Sequence, residues 1–186
     1  MGAVAGILVL CYIRQGAANM GLFGTQKVSR GLCDEAVHMV ETYFRHRGLN
    51  PSDHELSGSE GCGWWLTEGS AKVYVFIQDS PNGAVLRITS PLVFLPNKNR
   101  EQFYRHLLDV NTNLTGCALS THGDIVLVVS QRSTMGMSQD ELDELVWNTA
   151  YIADLMDNKL NEEYGALMYT ESGAAPNGSP QGKPRV

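Results

Sequence analysis

Three groupings in the sequence hold side chains able to do chemistry. His122-Gly123-Asp124 sets an imidazole beside a carboxylate, the pair that general-base catalysis uses. Cys117 is a possible nucleophile, given something to stabilise its thiolate. Asp140, Glu141, Asp143 and Glu144 crowd one short stretch, as carboxylates do around a metal. Each has a plainer reading. Gly-Asp is ordinary hairpin-turn chemistry. Nothing near Cys117 in sequence would lower its pKa. Helical spacing spreads the four acids around a cylinder, and the positive end of a helix dipole favours them in the first turns. His38 and His46 fall on or near the polar side of a helix, with no carboxylate or thiol at ligand spacing. No catalytic, metal-binding or cofactor-binding residue is therefore expected, and the chain reads as a non-enzyme.

Composition narrows the classes further. The 186 residues are 43% hydrophobic, enough for a sizeable core, and the length favours one domain with extensions. The net charge of −6, with no basic cluster, argues against nucleic-acid binding. Cys11, Cys33, Cys62 and Cys117 are far apart and form no CxxC, so a zinc ribbon is unsupported. Buried free thiols in a reducing, cytoplasmic setting are the simpler account. The apolar run Ala3 to Ile13 is shorter than the ~20 residues a membrane helix needs. It reads as an extension ahead of the domain, as a signal or anchor, or as an added element of the fold. No integral membrane span is expected.

The elements that must position these side chains follow from periodicity. Val28, Leu32, Ala36, Val40 and Tyr43 share one face of a helix that opens at Thr25 or Ser29 and ends near Arg47, before Gly48. Trp64 to Thr67, Lys72 to Gln78 and Ala84 to Ser90 read as three strands. The turns Glu68-Gly69-Ser70 and Asp79-Ser80-Pro81-Asn82-Gly83 separate them. Pro91 interrupts, and Leu92 to Leu95 continue extended. Asn99 with Gln102 marks the start of a second helix carrying Phe103, Leu107 and Val110 on one face. Cys117 to Thr121 and Ile125 to Gln131 form a hairpin, the latter apolar on both faces as a central strand is. Ser138 with Glu141 makes a capping box for a third helix, Gln139 to Tyr164, with an apolar stripe from Leu142 to Leu160. Strands joined by tight turns are antiparallel. The expected fold is α+β and two-layered, a five-stranded antiparallel sheet with three helices on one face in the order α-β-β-β-α-β-β-α. The division is an apolar extension at 1–24, the domain at 25–165 and a disordered Pro/Gly-rich tail at 166–186.

That order resembles the YbjN family and the wider fold of type III secretion chaperones of the CesT/Tir type. The residues that carry the likeness are Phe103, Leu107, Leu108, Val110, Asn111, Asn113 and Leu114, then Cys117-Ala118-Leu119, Gly123-Asp124-Ile125-Val126-Leu127, and Ser138, Glu141 and Leu142. The likeness covers about 27–165. It implies a bacterial, non-catalytic module that holds an extended segment of a partner protein, often as a homodimer. The alternative is a regulatory or sensory domain that binds a small ligand or another domain.

Strand addition at a sheet edge, with alternate side chains in apolar pockets, is one physical basis for such binding. Lys72 to Gln78 has no polar face, so an apolar patch must remain on the side of the sheet away from the helices. One register leaves Val73, Val75 and Ile77 outside; where these three go inward instead, Tyr74 and Phe76 are expected there with one of Trp64 and Trp65, since neighbouring strand residues point to opposite faces. Together with Phe103 and Leu107 of the central helix, these are the expected partner-binding residues. A client peptide, a second subunit or the N-terminal segment would cover them.

Overall fold

In a computed structural model, which describes residues 30–56, 62–80 and 83–170, the chain runs α1 (Arg30–His46), β1 (Cys62–Glu68), β2 (Ala71–Ser80), β3 (Gly83–Phe94), α2 (Arg100–Asn111), β4 (Ala118–His122), β5 (Ile125–Ser133) and α3 (Gln139–Tyr164). A 3-10 turn at Pro51–His54 follows α1. The five strands form one antiparallel sheet in the order β1-β2-β3-β5-β4. This is the expected α+β architecture. The readings of residues 1–24 and of the tail beyond Thr170 lie outside the described residues.

Register decides which side chains meet the helices. Trp64 pairs with Val75 and Leu66 with Val73, while Val75 pairs with Ile88. All are buried with Val40 and Phe44 of α1 and Leu142 and Val146 of α3. Val126 and Val128 of β5 and Leu119 of β4 pack with Phe103 and Leu107 of α2 and with Met156 and Leu160 of α3. One long helix thus spans both halves of the core, and all three helices lie on one face of the sheet.

β3 does not stop at Pro91. It runs on to Phe94 through a register shift between Pro91 and Val93. Such a bulge accommodates a residue that cannot donate to the ladder. β3 therefore outlasts β2, whose last pair with it is Tyr74 with Thr89. Residues beyond α3 fill the vacant edge. Phe94 N–H donates to Leu167 O at 2.7 Å, Tyr169 N–H donates to Leu92 O at 2.9 Å, and Ala166 is fully buried. Residues 166–170, expected as the start of a disordered tail, are instead an ordered strand-like cover.

Candidate protein-binding surface

α3 is built from its ends inward. Ser138 Oγ accepts the Glu141 N–H and the Glu141 carboxylate accepts the Ser138 N–H, the reciprocal cap expected from the sequence. Arg132 adds an ion pair to Glu141 at 2.7 Å. The Ser138 N–H first, then Arg132, hold the Glu141 carboxyl below its ordinary range. At the other end Gly165, with φ +61°, returns its N–H to Asn161 O at 2.8 Å. Between the caps Leu142, Val146, Ala150, Ala153, Met156 and Leu160 face the core.

The opposite face is not polar. Trp147, Tyr151 and Leu155 recur every four residues, each 52% exposed. The Trp147 and Tyr151 rings stack with centroids 5.1 Å apart and planes 6° from parallel. At 3.6 residues per turn the three side chains are centred about half a turn from the core positions. They form a ridge with nothing described lying over it. α2 carries a smaller pair, Tyr104 and Leu108, 38% and 68% exposed. The sequence signal for the ridge is a second apolar i, i+4, i+8 series on α3, out of phase with the core stripe.

The sheet edges are less available than an edge-pairing mechanism needs. On β4 the Leu119 N–H donates to Asn111 Oδ1 at 2.7 Å, and Asn111 Nδ2 donates to Leu119 O at 3.1 Å. The Asn111 amide thus occupies the position that a residue of an added strand would take. On β1 the Leu56 N–H donates to Gly63 O at 2.9 Å, Glu55 bridges Trp64, and the His54 ring lies 3.0 Å from Trp65 O. Both edges are partly closed from within the chain, as edges of stable sheets are.

The expected partner-binding residues divide by depth. Trp64, Phe103 and Leu107 belong to the core, with Phe103 set edge-on to Tyr164 at 5.1 Å. Tyr74 and Phe76 do point away from the helices, yet each is 2% exposed. Phe76 lies under Gly63, where an added Cβ would come within 2.9 Å of the ring, and Leu56 covers the same place. Lys72 Nζ stands 4.4 Å from the Trp65 ring centroid and 5.8 Å from that of Tyr74. Trp65 alone of the six is half-buried. The outer side of this strand is closed, and the uncovered apolar side chains that lie in line are on the helices rather than at these positions.

The chemical groupings of the sequence separate in space. The Asp124 carboxylate is turned to Arg100, at 3.6 Å. His122 is shifted down by burial and then by Arg87. Burial raises the Cys117 thiol. Cys33 is pushed to about 11 by burial and by donating to Asp79 at 2.7 Å. Cys62 is exposed, against the expectation of a buried thiol. Glu141 serves the cap and Asp143 accepts from Gln139. Among the described residues no group of three His, Cys, Asp or Glu side chains is placed to hold a metal. None of their helices is long and apolar enough to cross a membrane. One cavity of about 340 Å³ opens between the start of β2 and the 166–170 segment, lined by Thr67, Ser70, Lys72, Leu92, Asp157 and Tyr169.

The family model of YbjN, described as "Putative bacterial sensory transduction regulator", matches residues 36–162. The chain belongs to the YbjN family. The YbjN match runs from the inner face of α1 nearly to the end of α3 and so includes the ridge. No curated protein matches the sequence at significant similarity. Among solved structures, the ExsC–ExsE complex is similar at 13% identity and a TM-score of 0.53, over 68% of this chain and 94% of that one. The HopA1–SchA chaperone–effector complex is similar at 10% identity and 0.53, over 71% and 99%. The Yersinia pestis type III secretion chaperone SycH, in complex with a fragment of YscM2, is matched at 20% identity and 0.45, over 63% and 96%. The YbjN domain thus shares the fold of the chains matched in the ExsC–ExsE and HopA1–SchA complexes, as its order of elements implies.

Proposed function

We propose that this YbjN-family domain is a non-enzymatic, chaperone-like module that holds a segment of a partner protein against the outer face of α3. The observation that carries this is the Trp147–Tyr151–Leu155 ridge, large apolar side chains held in line on a capped helix and left uncovered. Isolated exposed apolar residues are common, but an aligned aromatic pair extended by a leucine is the composition of interface centres. The fold shared with a chain of the HopA1–SchA chaperone–effector complex agrees with a partner-holding role. The partly closed sheet edges favour side-chain docking on the helix over strand addition. Free thiols at Cys33, Cys62 and Cys117 suit a cytoplasmic setting.

The test is titration of labelled apolar peptides of about 20 residues, followed by fluorescence anisotropy, against the wild type and Trp147→Ser/Tyr151→Ser. Saturable binding that the double variant loses supports the reading. Binding unaffected by the double variant contradicts it. A second reading, a regulatory domain for a small ligand, is favoured by the cavity beside Asp157, a carboxylate only 7% exposed. A small organic amine that raises the melting temperature of the wild type but not of Asp157→Asn would support it.

A further inference from the structure

Charge along the ridge identifies the kind of partner. Asp140 and Glu144 precede Trp147 on the same side of α3, and Asn158 and Glu162 follow Leu155 there. At 3.6 residues per turn these seven positions fall within about a quarter turn of one another. All seven are exposed. Asp140, Glu144 and Glu162 make no ion pair among the described residues. Asp154, at the border, is already committed, since the Ser70 N–H and Oγ donate to it at 3.1 and 2.5 Å. The basic residue of α3, Lys159, lies outside the stripe with Nζ 4.0 Å from Glu163. The stripe therefore reads acid, acid, aromatic, aromatic, leucine, amide, acid.

Three occupants can be compared. A second copy meets like charge in either orientation. Parallel alignment sets Asp140 and Glu144 on themselves, and antiparallel alignment sets Asp140 against Glu162. Like charges in contact across an interface are strongly unfavourable. An anionic membrane surface is repelled for the same reason, and membrane-lying helices carry Lys and Arg beside their apolar face instead. A partner segment with apolar residues flanked by Lys or Arg satisfies both parts of the stripe. Its cations meet Asp140, Glu144 and Glu162, and an Arg or Lys can also lie on the Trp147 face.

We infer that the α3 ridge is a docking site for a basic-flanked apolar segment of another protein, and not for a second copy of this chain. The inference rests on the partner-holding reading and adds the charge of the partner. The experiment uses three peptides with one shared apolar centre and Lys, Ser or Glu flanks. Each is titrated into the full chain and into Asp140→Lys/Glu144→Lys/Glu162→Lys and Trp147→Ser/Tyr151→Ser. The Lys-flanked peptide is expected to bind at least about tenfold tighter than the Glu-flanked one, with the gap shrinking as salt rises. The triple charge variant is expected to reverse that order. Equal binding of all three peptides, lost in Trp147→Ser/Tyr151→Ser, overturns the inference while leaving the partner-holding reading intact. Binding insensitive to both variants overturns the two together. A wild-type dimer in light scattering that Trp147→Ser/Tyr151→Ser converts to monomer, or anionic vesicles that outcompete the Lys-flanked peptide, also overturns it.

Discussion

The indole of Trp147 lies flat against the ring of Tyr151, 5.1 Å between centroids, on the side of α3 that faces away from the sheet. The contact holds two aromatic faces in one fixed line, which lowers the ordering cost of binding. It contributes little to the fold itself. An aromatic pair is worth about 0.5–1.5 kcal/mol beyond its burial, and both rings remain half exposed. Trp147→Ser/Tyr151→Ser is expected to lose that amount and the burial of half of each ring, well short of unfolding the domain in chemical denaturation. Phe103→Ala, at a fully buried ring, is expected to cost about 3–5 kcal/mol.

Asn111 and Leu119 set the second prediction. The side-chain amide satisfies both backbone groups of a buried residue on the outer edge of β4. Asn111→Ala leaves a donor and an acceptor there without partners, at a cost of about 1–3 kcal/mol. It also opens an edge. Time-resolved light scattering is expected to show self-association of Asn111→Ala that the wild type lacks.

Two carboxyls give opposite pH dependences. Glu141 is depressed by the Ser138 N–H and Arg132 from an ordinary value of 4.5. Its contribution is present above that value and is lost as pH falls through the folded value. Glu141→Gln is expected to melt lower than wild type at pH 7, with the gap closing at acid pH. Asp157 is raised from 3.8, first by burial, with the charge of Asp154 adding to it. The folded state then binds more protons between 3.8 and the folded value, so stability falls as pH rises through that window, and the penalty is complete above the folded value. Asp157→Asn is expected to melt higher than wild type at pH 7, with the gap closing as pH falls below 3.8. Melting curves of both variants across that range test the two signs.

The 166–170 segment carries a prediction about truncation. A chain ending at Gly165 loses the backbone bonds to Phe94 and Leu92, the Asn161 bond to Ala166 O at 2.7 Å, and a buried Ala166. Each bond is worth about 0.5–1.5 kcal/mol net. The chain ending at Gly165 is expected to denature at clearly lower urea than one ending at Thr170.

Much of the fold was legible because periodicity is a local property. The capping box at Ser138 and Glu141, the core stripe of α3, and the doubly apolar β5 between two neighbours all followed from spacing. The division of Trp64 from Trp65 followed from alternation, though which ring went inward depended on the register with Val75. Local signals failed where the outcome was tertiary. Asn99 resembled a side-chain cap, but it takes a left-handed conformation at φ 56° and makes no cap bond. Asparagine tolerates that region unusually well. Tyr74 and Phe76 looked outward and uncovered because the pattern of one strand does not report what packs over it. Residues 166–170 looked like tail because their partner, the edge of β3 at Leu92–Phe94 that β2 leaves unpaired, exists only in the folded sheet. The ridge was missed because one strong stripe on α3 had already accounted for the helix.

The central claim is that the outer face of α3 holds the partner. Position 155 carries the most direct test, with Leu155 replaced by a photo-reactive benzophenone side chain and exposed Thr121 of β4 replaced likewise as a control. The Lys-flanked peptide is added, the sample is irradiated, and intact mass is measured. The account predicts a one-to-one adduct at position 155 that excess unlabelled peptide suppresses, and none at position 121. Equal adducts at the two positions, or an adduct at position 121 alone, would contradict it.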